Sequence, residues 1–96
     1  MDYGKEIKNL RVNKMKQIQS VFAKNIGITQ TYLSQIETGS KKPSTELLER
    51  IAAYVDIPLP ILFWFSVTEE DVKEDRKEAF RMLKPTADAL IHSFFN

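Results

Sequence analysis

The sequence predicts an all-α protein, and three observations carry that prediction. Apolar residues recur at three- and four-residue spacings in successive stretches, the period of a helix with one buried face. No stretch of useful length alternates apolar and polar residues as a half-buried strand would. Residues 19–38, QSVFAKNIGITQTYLSQIET, read as two short helices joined by a tight turn, and the rest of the chain is arranged around them.

Residues 3 to about 14 form the first helix, with Ile7 and Leu10 near one face. A basic connector over 12–17 follows, and Ile18 restarts the apolar pattern. In the next helix, about 19–25, Phe22, Ala23 and Ile26 share a face. Ala23 supplies the small side chain that a steep helix crossing needs. Gly27 breaks the run, because without a Cβ it takes φ > 0 at no steric cost. Thr29 is placed to N-cap a helix over 30–37, whose inward face is Leu33 and Ile36. Gly39 supplies its stop. After the loop 38–43, Ser44 caps a helix over 45–55 that aligns Leu47, Leu48, Ile51, Ala52 and Val55.

The segment LPILFWF, residues 59–65, has Pro60 one position in, which suits the first turn of a short helix. Seven apolar residues exceed what one small core can take, so some are expected to face a second subunit or the C-terminal helix. Thr68 is expected to cap a long charged helix, with Asp71 closing a loose capping box. Pro85 lies inside that helix, where proline costs about 3 kcal/mol. The C-terminal extension is therefore expected to be broken or kinked at Pro85, a break being favoured. The seam Phe80, Leu83, Ala87, Leu90, Phe94 nevertheless continues across it, widened by Ile91 and Phe95.

Composition narrows the function. Ninety-six residues make one domain with an appended element, read as 1–66 and 67–96. There are no cysteines, no signal-peptide pattern and no apolar run long enough to span a membrane, which suggests a cytoplasmic protein without membrane partners. The net charge is only +1, but residues 1–44 carry +5 and residues 45–96 carry −4. A polyanion partner for the basic half is the natural reading.

Leu33 and Ile36 turn the opposite face of the 30–37 helix to solvent. That face is uncharged and rich in Gln, Thr and Ser, groups that both donate and accept hydrogen bonds at base edges. A helix-turn-helix presenting its second helix to the major groove follows. His92 has no second His or Cys near it in the chain, so no metal or cofactor is expected. The carboxylates over 69–78 read as a solvated helix face, and nothing suggests an enzyme. Lys5, Lys8, Lys14 and Lys16 read as solvated, and Phe63, Trp64 and Phe65 as core.

Gln19, Ala23, Gly27, Ile28, Leu33, Ser34, Gln35, Ile36, Glu37 and Gly39, with Leu10-Arg11 and Lys42-Pro43-Ser44, resemble the XRE family of lambda-repressor/Cro-like helix-turn-helix proteins across residues 5–65. The resemblance implies a five-helix lambda-repressor-like DNA-binding domain, a sequence-specific transcriptional regulator acting as a homodimer on double-stranded DNA. It implies that Thr29, Gln30, Thr31, Ser34 and Gln35 face the groove, and that Gln19, Tyr32, Ser40, Lys41 and Lys42 contact phosphates. It also implies an Arg11–Glu37 ion pair between the first and third helices. The connector between the first two helices is a residue longer than usual and lacks the common Gly, at Met15-Lys16-Gln17. Residues 66–96 lie outside the resemblance. Residues 67–96, through the Phe80–Phe95 seam and together with the 59–65 segment, would form the dimer interface or, in an alternative reading as an antitoxin, bind a partner protein.

Overall fold

The computed structural model describes residues 1–95, all helix, turn and loop. Helix α1 spans Tyr3–Asn9 and widens into a π-helical turn over Leu10–Lys14. Helices α2 (Gln19–Ile26), α3 (Gln30–Glu37), α4 (Thr45–Val55) and α5 (Leu59–Ser66) follow. Two 3-10 turns, Glu69–Asp71 and Glu74–Arg76, lead into α6, Lys77–Phe95.

The helix boundaries have local causes. Thr29 Oγ1 accepts from the Tyr32 N–H at 3.0 Å, and Ser44 Oγ from the Leu47 N–H at 3.1 Å, as expected of N-caps. Gly27 ends α2 at φ 78°, in the left-handed region. Asp56 ends α4 at φ 57° without being glycine. Lys16 likewise sits at φ 54°, in the connector between the first helix and α2.

The core forms where these helices cross. Ile7 and Leu10 of α1, Phe22 and Ala23 of α2, Leu33 and Ile36 of α3, Leu47 and Ile51 of α4, and Leu62 of α5 are all buried. Helix α1 packs on α3 and α5, and α4 packs on α2 and α5. Tyr54 Oη donates to Gln17 Oε1 at 2.9 Å and accepts from Asn25 Nδ2 at 2.8 Å, tying α4 to the connector before α2 and to the last turn of α2.

Two expectations for residues 67–96 are corrected. The capping box of Thr68 and Asp71 is present, but it starts a single 3-10 turn, and the long helix begins only at Lys77. An ion pair between Asp71 and the N-terminal ammonium (2.7 Å) holds that turn against the start of the chain, and this hydrogen-bonded pairing pulls the Asp71 carboxyl below its ordinary pKa. The chain does not break at Pro85, which lies inside one helix. Arg81 and Pro85 are both exposed, so water can satisfy the carbonyl that loses its donor.

Helix α6 docks against α5 and the first helix through Lys84, Ile91, His92 and Phe95, all half-buried. The His92 ring stacks on Phe65 at 4.1 Å. The Lys84 ammonium lies 5.1 Å from the Trp64 ring centre and pairs with Asp88 at 2.7 Å. Lys14, read from sequence as solvated, donates to the Phe95 carbonyl, placing a cation at the negative end of α6. Within the seam, Phe80 and Ala87 are half-buried. Leu83, Leu90 and Phe94 remain exposed.

Glu6 lies under this docked helix, with Oε1 lacking a hydrogen-bond partner. Burial, aided by Asp88, raises its pKa from 4.5 to about 7, against the opposing pull of Asn9, Lys84 and Lys5. The folded state thus binds this proton more tightly than the unfolded chain does, so stability falls as pH rises from about 4.5 to about 7. The Glu6→Gln variant should be more stable than wild type at pH 8, by roughly 1 kcal/mol after solvent screening, or roughly 4–8 °C in Tm. The gap should close toward pH 5. Melting curves across that range that show a constant difference would rule the effect out.

Candidate nucleic-acid interface

The interface is built on the fixed crossing of α2 and α3. Gly27 turns the chain, and Arg50 of α4 donates to the Ile26 carbonyl at 3.0 Å, satisfying the end of α2. A Cβ at Gly27 would lie 2.9 Å from that guanidinium, so the turn has a steric as well as a conformational reason for glycine.

Glu37, at the end of α3, holds the far side. It receives Arg11 Nε at 2.7 Å and Arg11 Nη2 at 2.9 Å, a two-point pairing. Gln19 Nε2 adds a third bond to Glu37 Oε1 at 2.9 Å. Arg11 Nη1 also donates to the Gln17 carbonyl at 2.9 Å, so one guanidinium fixes α1, the α1–α2 connector and α3 together. The ion pair implied by the family resemblance is present, with both side chains largely buried.

With the scaffold fixed this way, Gln19, Gln30, Thr31, Ser34 and Gln35 line one shallow surface depression. Gln30 and Thr31 are exposed, and Ser34, Gln35 and Gln19 are half-exposed. Gln19 was grouped with the phosphate contacts. Its side chain lines the same depression as Gln30, Thr31, Ser34 and Gln35, with one amide hydrogen committed to Glu37. Thr29 has its oxygen engaged as the cap of α3, leaving its hydroxyl hydrogen to donate outward.

The loop after α3 splits its expected residues. Lys41 and Lys42 are exposed. Ser40 Oγ donates inward to the Gln35 carbonyl at 3.2 Å, so its hydroxyl closes the helix and keeps only acceptor capacity. Tyr32 is half-buried and packs against the core edge.

Sequence reasoning missed Gly4, Gln17, Asn25, Arg50 and Tyr54, which position the site without belonging to it. A signal existed for Gly4: a glycine inside a helical pattern costs about 1 kcal/mol and usually has a packing reason. The others gave none, since their partners lie 24 to 37 residues away along the chain or are backbone carbonyls. No helix among the described residues is long and apolar enough to cross a membrane.

The comparisons with known proteins agree with this geometry. Residues 7–62 match a family model described as helix-turn-helix. The chain is 39% identical over 75 residues to the ImmF control region 10 kDa protein of Bacillus phage phi105, covering 75% of this chain and 80% of that protein. It is also 39% identical over 61 residues to the control protein C.MunI of a Mycoplasma species, covering 64% of this chain and 82% of that protein. No solved structure matches significantly. The family match spans more than half of the chain, and both control proteins are matched over most of their length: the chain belongs to the XRE-type, lambda-repressor-like helix-turn-helix family of DNA-binding transcriptional regulators.

Proposed function

We propose that the protein binds a near-palindromic operator as a homodimer, with α3 in the major groove. The observation that carries this is the clustering of Gln19, Gln30, Thr31, Ser34 and Gln35 on one accessible face, flanked by exposed Lys41 and Lys42. Gln30 and Gln35 read base edges, where a glutamine pairs its donor and acceptor with adenine. Thr29, Thr31 and Ser34 add single hydrogen bonds. Lys41 and Lys42 hold the backbone, with Tyr32 and the Ser40 main chain beside them, and set affinity rather than sequence. Two α3 helices would lie about 34 Å apart, one turn of DNA.

Selection of bound sites from random duplexes tests this. A two-fold symmetric site is expected, and Gln30→Ala or Gln35→Ala should each weaken binding to it by roughly 10- to 100-fold while sparing nonspecific binding. Lys41→Ala and Lys42→Ala should each lower the salt slope by roughly 0.9. No enriched half-site, with both glutamine variants binding as wild type, would overturn the base-reading assignment. The antitoxin reading keeps one supporting observation, the exposed apolar side of α6, for which a different occupant is argued next.

A further inference from the structure

We infer that the outer face of α6 is a self-complementary seam on which a second copy of this chain packs antiparallel; this rests on the homodimer reading and specifies its interface. Among the exposed large apolar side chains, four lie on this one face: Met82 (75% exposed), Leu83 (65%), Leu90 (62%) and Phe94 (80%). Between them lie exposed Ala79, Thr86, Ala89 and Ser93. The stripe carries no charge over four turns of helix, whereas Glu78, Arg81, Lys84 and Asp88 lie to its sides. An exposed apolar stripe of this extent on a small domain marks an interaction surface.

Its spacing identifies the occupant. An isologous contact requires that residue i meet residue j while j meets i. About a two-fold axis between Thr86 and Ala87, Leu83 meets the partner's Leu90, and Phe94 lies over the partner's Ala79. Small residues fall at the axis, where the helices come closest, and large ones fall on either side.

Charge fixes the direction. The start of the extension, residues 69–78, holds six acidic groups against three basic ones. The far end of α6 sits by Lys14 and Lys16, which line a depression with His92. Antiparallel packing brings each acidic end toward the partner's lysines, whereas parallel packing would place the two acidic ends together.

The chain contains no cysteine, so a single introduced one reports the register directly. In the full-length protein under mild oxidation, Thr86→Cys should cross-link to a covalent dimer, because its copy lies across the axis. Leu83→Cys alone should not, and should do so only when mixed with Leu90→Cys. In sedimentation without DNA, Leu83→Glu and Leu90→Glu should each weaken the dimer by about 30-fold or more. Both side chains are already exposed in the single chain, so circular dichroism should show the fold retained. A dimer that survives both glutamate substitutions, or Leu83→Cys cross-linking to itself, overturns the seam and leaves the homodimer standing. A wild-type protein that stays monomeric alone and on palindromic DNA overturns both.

Discussion

Replacing Glu37 by alanine should cost about 3–5 kcal/mol of folding stability, because it leaves the Arg11 guanidinium buried without its counter-charge. Arg11 is 8% exposed and gives three hydrogen bonds, two of them to this carboxylate. Gln19 loses its partner in the same step. Arg11→Ala should cost a similar amount for the opposite reason, a buried carboxylate left with only a neutral amide. The double variant Arg11→Met with Glu37→Leu should recover much of the loss, since apolar residues of similar volume remove both desolvation penalties together. Urea denaturation gives all three values, provided the m-values agree. A single variant that loses less than about 1 kcal/mol would mean that water reaches the pair and screens it. DNA affinity is a second readout: α3 held only at its Gly27 end should read bases poorly even where the variant folds.

The second large effect is expected at Gly4. Helix α1 crosses the end of α3 so closely that a Cβ at this position would lie 2.1 Å from the Ile36 carbonyl oxygen and 3.1 Å from its carbon. That obstacle is backbone and cannot rotate away, so Gly4→Ala must push the two helices apart. The expected cost is about 1–3 kcal/mol, net of the better helix propensity of alanine. Gly39→Ala is the control. It meets nothing within 4 Å, and its penalty comes only from φ 85°, roughly 1–2 kcal/mol. The two variants separate in DNA binding, because only Gly4→Ala moves α3 relative to α1. A Gly4→Ala protein as stable as wild type, with unchanged DNA affinity, would show that the crossing is looser than the structure has it.

Comparing the chain with its fold shows where local information ends. The caps at Thr29 and Ser44, the reversal at Gly27 and the inward pairs Leu33–Ile36 and Leu47–Ile51 were legible because each is decided within one helical turn. The uncharged face of α3 was legible for the same reason: once Leu33 and Ile36 point inward, the 3.6-residue period sends Gln30, Thr31 and Ser34 outward. The Arg11–Glu37 pair was available only through family resemblance, since its members are 26 residues apart.

The C-terminal extension was the least legible part. Its apolar residues span too wide an arc for the period to say which side docks, so Ile91 and Phe95 could not be told from Leu83, Leu90 and Phe94. The helix rotates to where Lys84 meets Asp88 and Trp64, His92 meets Phe65, and Lys14 reaches the Phe95 carbonyl. The same docking on both sides of Pro85 keeps the helix whole where local propensity expects a break. By itself, then, the sequence determined the first five helices, the caps at Thr29 and Ser44 and the uncharged polar face of α3, all set by short-range sterics and periodicity. The tertiary structure decided the placement of Gln19, the close crossing at Gly4 and the outward face of α6, because each depends on surfaces that meet only after the chain has folded back on itself.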